Sequence, residues 1–160
     1  MPAETHLPVQ DQAEILTMAR QVTGEVLETM FFSEAVPVDC NHAAGPGSVL
    51  DGWLSSRVCF QGVPSGELRV ILSDQLARAI AAGFLGAESE DVTEETAGQV
   101  GCELGNMICG AILSRLHPDS RVALAPPELV PATFDGQGYV HQCFETPDGK
   151  LAIMIALKKG

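Results

Sequence analysis

Basic residues are scarce in this chain. Lysine and arginine number 9 against 21 aspartates and glutamates, a formal net charge of −12 over 160 residues. The longest basic cluster is Lys158-Lys159, so binding nucleic acid by neutralising its phosphates is disfavoured. Such an acidic surface favours partners that present lysine or arginine. Long apolar runs are missing too: no stretch approaches the ~20 residues that span a bilayer. The start, Met1-Pro2-Ala3-Glu4, lacks the basic-then-apolar order of a signal peptide. A cytoplasmic protein without membrane contact is expected. The five cysteines (Cys40, Cys59, Cys102, Cys109 and Cys143) include no Cys-x-x-Cys pair. That pattern predicts reduced, mostly buried thiols. The histidines His6, His42, His117 and His141 have no partner at ligand spacing, so no metal site is expected.

What is present fits one globular domain over residues 1–160, with residues 1–10 as a loose N-terminal segment: 46% of the residues are apolar. Residues 11–32 read as a helix, because Ile15, Ala19, Val22, Val26 and Met30 recur at steps of three or four. Pro37 and Gly45-Pro46-Gly47 then break the pattern into a loop with a short strand on each side. Arg57 to Gln61 and Leu68 to Leu72 read as a hairpin joined by Val63-Pro64-Ser65-Gly66. Ser73 is placed to cap a helix from Asp74 to Leu85, with Gly86 as its stop. An acidic link, Glu88 to Asp91, leads into a second long helix, Val92 to Leu116, ended by Pro118. A second hairpin follows, Gly138 to Glu145 and Leu151 to Leu157, turning at Thr146-Pro147-Asp148-Gly149. Its last strand is apolar on both faces, as a central strand should be.

Parts of this order occur twice. Gln21-Val22-Thr23-Gly24-Glu25-Val26-Leu27-Glu28-Thr29-Met30 aligns without a gap on Gln99-Val100-Gly101-Cys102-Glu103-Leu104-Gly105-Asn106-Met107-Ile108, an offset of 78 residues. Cys59-Phe60 and Cys143-Phe144 hold matching places in the first strands of the two hairpins, and Gly66-Glu67-Leu68 matches Gly149-Lys150-Leu151 at the start of the second. The expected architecture is α+β, a helix-plus-hairpin unit duplicated about a pseudo-twofold. It would share one mixed or antiparallel sheet, with the two long helices side by side on one face.

The copies differ where chemistry could reside. At about 100° per residue, Val100, Leu104, Met107 and Ala111 fall on one face of the second helix, the expected core side. Gln99, Glu103, Asn106 and Gly110 share another face within about 60°. Glycine inside a helix costs roughly 1 kcal/mol against alanine, which makes sense at Gly110 if something must approach closely. The first copy has Glu28 where the second has Asn106.

Glu103-Leu104-Gly105-Asn106-Met107-Ile108-Cys109-Gly110-Ala111 resembles the Glu-x-x-Asn-Met-x-x-Gly helix of the CheC/CheX/FliY chemotaxis phosphatases. Leu124-Ala125-Pro126-Pro127-Glu128-Leu129-Val130 is similar to the proline-bearing stretch that follows it in that family. Phe60-Gln61-Gly62 and Gly66 to Ser73 resemble the family's hairpin leading into a short helix. The likeness covers roughly residues 10–157 and is closest to the CheX branch. It departs at Gln99, where members often have Asp or Ser, and in a slightly shorter spacing to the prolines.

The resemblance implies hydrolysis of the aspartyl phosphate of a CheY-type response regulator. Asn106 would orient the attacking water and Glu103 would hold the regulator's lysine, with Gln99, Gly110 and Pro127 in docking. It implies no cofactor in this chain, a magnesium ion on the partner receiver domain, and a homodimer. Elementary physics agrees with these roles. A carboxamide can fix a water without adding charge. A carboxylate about 4 Å from a phosphoryl oxygen would cost on the order of 4 kcal/mol at an effective dielectric of 20. One active site per chain is therefore expected, with Glu25 and Glu28 as surface glutamates of a structural copy. The alternative is a non-catalytic module that binds phosphorylated receivers or acts as a dimeric scaffold.

Overall fold

The computed structural model describes residues 9–40, 48–49, 52–62, 65–116, 118, 121–134 and 139–158. In chain order the elements are α1 (Val9–Phe31), β1 (Val36–Val38), β2 (Ser48–Val49), β3 (Leu54–Gly62), β4 (Ser65–Leu72), α2 (Asp74–Leu85) and α3 (Glu94–Leu116). They continue with β5 (Val122–Leu124), β6 (Glu128–Val130), β7 (Thr133–Phe134), β8 (Val140–Thr146) and β9 (Gly149–Lys158). Seven strands form an antiparallel sheet in the order β1-β8-β9-β4-β3-β5, with β6 also paired to β3. β2 and β7 make a separate two-stranded ribbon.

Both hairpins form where the alternation of residues placed them, and they meet through β4 and β9 at the centre of the sheet. The register there reports the duplication directly. The offset of 83 residues that carries Gly66 onto Gly149 also carries Val70 onto Ile153, which is its own cross-strand partner. The same offset exchanges the pairs Leu68–Ile155 and Leu72–Leu151 almost symmetrically. The two copies are thus related by a pseudo-twofold passing between β4 and β9. Phe60 and Phe144, the matched aromatics, are both fully buried in one core with Leu151, Ile153 and Ile155. On the other side of β9, Ala152 and Met154 join Ile71 and Cys143 in a smaller cluster. β9 is therefore apolar on both faces because both faces are covered.

All three helices contribute to the larger core. α1 packs on α3 and β8, whereas α3 packs on α1, α2, β3 and β4. Contact on several sides widens the buried arc beyond a single stripe. In α1, Thr23 and Leu27 are fully buried while Val26 is half-buried and Met30 is exposed, which corrects the simple stripe ending at Met30. In α3 the buried arc includes Ala97, Val100, Leu104, Ile108 and Ile112; Met107 and Ala111 lie half-buried at its margin.

α3 seats closely on the sheet because glycines line its inner face. A Cβ on Gly101 would stand 2.5 Å from Leu54 Cδ2, and one on Gly105 2.8 Å from Ser56 Oγ. Ser56 in turn donates to the Gly101 carbonyl at 3.1 Å. Thr93 caps the helix, its hydroxyl accepting the Thr96 N–H at 3.1 Å. α3 therefore begins at Glu94 rather than Val92.

Two local expectations are corrected. Ser73 precedes α2 but does not cap it with its side chain. Its hydroxyl instead accepts the Lys150 N–H at 3.0 Å, while its own N–H donates to the Lys150 carbonyl at 2.9 Å. That clip requires Gly149, whose φ is +152° and whose Cβ would collide with Ser73 Oγ. The far end of α2 stops as expected at Gly86, in the left-handed region at φ 67°. The cysteines are also not all reduced. Cys40 and Cys143 form a disulfide with Cα atoms 5.2 Å apart, although they are separated by 103 residues. β1 pairs Val38 with Cys143 and so delivers Cys40 to it, a proximity that sequence spacing cannot express. Gly45-Pro46-Gly47 and the turn residues Val63-Pro64 lie outside the described residues, as do His6, His42, His117 and Lys159.

The glycine seat gives a stability prediction. Gly105→Leu should destabilise the fold by about 1–3 kcal/mol through overpacking, despite leucine's better helix propensity. The midpoint of urea unfolding, read at unchanged slope, measures it.

Candidate functional site

The polar stripe of α3 lies on the side opposite its glycine seat. Gln99 and Glu103 are exposed, and Asn106 and Gly110 are half-buried. Residues three and four apart on a helix hold their Cβ atoms about 5–6 Å from each other, so these four make one continuous strip. Neither Glu103 nor Asn106 has a side-chain hydrogen bond or ion pair to another described residue.

A shelf runs beside this strip, built by the chain returning along the free edge of β3. β5 pairs Leu124 with Phe60, and β6 pairs Glu128 with Arg57. Between them Ala125 still donates its N–H to the Cys59 carbonyl at 2.8 Å. Pro126 and Pro127 follow and cannot donate, so the edge pairing is interrupted there and resumes at β6. The Arg57 guanidinium donates to Glu128 and fixes the end of the shelf. Leu129 reaches α3 beside Gly98, where a Cβ would stand 2.8 Å from its Cδ1. Leu124 reaches α3 beside Gly110, 3.8 Å from the Cβ position. Gly98 and Gly110 are about 18 Å apart along the helix, so the two leucines bracket the polar strip. Both are well exposed, at 37% for Leu124 and 55% for Leu129.

Of the residues singled out from sequence, Gln99, Glu103, Asn106 and Gly110 share the helix strip, and Pro127 is half-buried in the segment between Leu124 and Leu129. Sequence reasoning missed the two exposed leucines. Their signal was an apolar residue on each side of Pro126-Pro127, in strands too short to bury both faces.

The first copy is arranged differently. Glu25, the counterpart of Glu103, accepts a hydrogen bond from Arg115 in the last turn of α3. That guanidinium holds the Glu25 carboxyl below its usual range, outweighing a smaller opposite effect of desolvation. Glu28 is exposed. One carboxylate of the pair is therefore employed in joining the helices, while Glu103 is left open.

The thiols nearby are poor nucleophiles. Burial raises the Cys102 thiol above its ordinary value and pushes Cys109 up to about 12, so both stay protonated at neutral pH. What the strip offers is a carboxylate, a carboxamide and a smooth glycine step, an arrangement for holding rather than for covalent attack.

A protein-family model for the chemotaxis phosphatase CheX matches residues 54–139, more than half of the chain. The chain belongs to the CheX family. The matched segment includes α3 and the whole shelf. The CheX fold is also evident in solved structures. Chemotaxis protein CheX from Vibrio vulnificus is similar with a TM-score of 0.72 at 21% identity, over 92% of this chain and 98% of that one. CheX of Borrelia burgdorferi, crystallised as a CheX-CheY-BeF3-Mg2+ complex, gives 0.64 at 21% identity over 90% and 97%. FliY of Thermotoga maritima gives 0.58 at 17% identity over 98% and 91%. No curated protein matches in sequence. Among the described residues no helix is long and apolar enough to cross a membrane.

Two outcomes test the geometry of this candidate site in the CheX-family chain. Gly110→Ala should raise stability by about 0.5–1 kcal/mol, because the added methyl meets only an ordinary contact and the helix gains propensity. A lower unfolding midpoint would show that the fold itself requires the glycine. Glu25 contributes stability that is present above its unfolded pKa and lost as pH falls through its lowered folded one. Glu25→Gln should therefore be slightly less stable than the parent at pH 7. The difference should vanish in chemical denaturation below the ordinary carboxylate range.

Proposed function

We propose that this chain hydrolyses the aspartyl phosphate of a CheY-type response regulator at the strip formed by Glu103 and Asn106. The observation that supports it most is the asymmetry between the copies. Glu103 and Asn106 face outward with no side-chain partner among the described residues, while the matching Glu25 is engaged by Arg115. Membership of the chemotaxis phosphatase family and a relative crystallised with CheY support the same reading.

In this reaction water attacks phosphorus in line, the bond to the aspartyl oxygen breaks, and the carboxylate leaves with the bond electrons. The water's oxygen forms the new bond to phosphorus and leaves, with its two protons, in inorganic phosphate (H2PO4−). Asn106 holds that water through its carboxamide, donating or accepting without adding negative charge. Glu103 pairs with the regulator's lysine, so its charge must be kept. The magnesium ion that offsets phosphoryl charge belongs to the regulator. Leu124 and Leu129 exclude water at the two ends of the contact, Gly110 allows close approach, and Gln99 and Pro127 complete the docking surface. The same surface would serve a non-catalytic receiver-binding module, and its apolar lips favour docking in either case. A homodimer and a cytoplasmic setting complete the proposal.

Asn106→Ala should lower stimulated dephosphorylation about a hundredfold or more while retaining the regulator complex. Asn106→Asp should fail similarly, through repulsion of the phosphoryl oxygens. Glu103→Ala should weaken the complex and reduce its salt dependence. Phosphate release from phosphorylated receiver domains is the measurement. An unchanged rate in Asn106→Ala would overturn the assignment. Tight binding without accelerated release by the parent would establish the binding-module reading.

A further inference from the structure

A second exposed surface lies where α1 and α2 end, and the phosphatase reading does not use it. Phe31 and Phe84 bring the two ends together, their ring centroids 6.3 Å apart. Around them Met30, Phe32, Phe84 and Leu85 stand at 48, 92, 51 and 53% exposure. Four large apolar side chains so exposed, at two adjoining helix ends, depart from the scattered single residues of an ordinary surface.

Phe32 is the decisive member. It follows the last residue of α1 and adopts φ 54°, the one non-glycine residue with positive φ among those described. The helix needs that conformation to turn the chain so that Ser33 donates to the Leu27 carbonyl at 3.0 Å. Glycine or asparagine fills such a position at least strain, and a bulky aromatic is an outlier there. At 92% exposure the ring gains no burial in return. Neither backbone geometry nor core packing explains a phenylalanine, so the explanation lies outside the chain.

Charge narrows what that can be. Residues 25–36 and 81–91, the two segments that make the surface, contain no lysine or arginine, and Arg115, which reaches the first segment from α3, is taken up by Glu25. Exposed Glu28, Glu34, Glu88, Glu90 and Asp91 flank the apolar residues, and none forms a side-chain ion pair to another described residue. A second copy of this chain would bring two acidic rims together, and an anionic membrane would be repelled likewise. A basic partner is favoured on both counts. We infer that the Phe32–Phe84 surface docks an amphipathic, lysine- or arginine-rich helical segment of another protein. Its apolar face would cover Phe32, Phe84 and Leu85, and its basic flanks would meet the acidic rim.

The test uses the full chain and four probes: an 18-residue amphipathic Leu/Lys peptide, its scrambled isomer, a Leu/Glu counterpart, and phosphatidylglycerol vesicles. The Leu/Lys peptide should bind best, shift the amide resonances of residues 28–34 and 82–88, and weaken as salt rises. Phe32→Gly should reduce its affinity about tenfold or more, while thermal stability stays level or rises as the left-handed strain is relieved. Leu85→Ser provides the same reading from the second helix, and Glu28→Gln with Glu34→Gln should flatten the salt dependence. Equal binding of the scrambled peptide, full affinity in Phe32→Gly, or shifts confined to other residues would overturn the inference. So would preference for the vesicles or the Leu/Glu peptide, or self-association that Phe32→Gly abolishes in sedimentation.

Discussion

The close seating of α3 on β3 governs how the rest of this molecule is arranged. Gly101 and Gly105 present no side chain of their own, so the helix backbone rests directly on the Leu54 and Ser56 side chains, and the Ser56 hydroxyl ties the strand to the Gly101 carbonyl. A helix held this near leaves little room on either side. α1 and α2 pack against its flanks, and the chain returning after α3 runs along β3 as β5 and β6. The shelf that carries Pro127 therefore lies beside the polar strip because the helix sits low on the sheet. Larger residues at these positions would lift α3 and separate the two halves of the candidate site.

The pseudo-twofold supplies two equivalent helices, but their surroundings are not equivalent. Both Val22 and Val100 point into the core, which preserves the shared frame. Beyond that the copies diverge. Glu25 closes an ion pair with Arg115, while Glu103 and Asn106 remain on an open face flanked by Leu124 and Leu129. An exposed ion pair contributes little to stability, so this divergence has more to do with which carboxylate stays available than with holding the helices. Like-charge repulsion separates the copies further under the proposed reaction, because Glu28 stands where Asn106 would hold the water.

Much of this was legible in the chain. Alternation placed β3, β4, β8 and β9 within a few residues. Gly86 marked the end of α2, and the three- and four-residue steps outlined both long helices. The strip of Gln99, Glu103, Asn106 and Gly110 followed from helical periodicity alone, since the angle between residues is fixed by backbone hydrogen bonding. The misses share a cause. Ser73 looked like a cap, yet its hydroxyl had a better-placed partner in the Lys150 N–H, 77 residues away. Met30 looked like core, yet the buried arc of α1 turned towards Thr23 and Leu27 because α3, β8 and α2 all pack on it. The Cys40–Cys143 bond depends on β1 pairing with β8, and no local spacing encodes that.

The sequence by itself determined the kinds of element, their order, the duplication, and the polar strip with its single Asn, because each of these rests on short-range periodicity or direct residue identity. Tertiary structure decided what surrounds the strip: the shelf that borders it, the ion pair that engages Glu25, and the exposure of Phe32. Those depend on which surfaces meet across separations of tens of residues, where packing rather than local propensity selects the outcome.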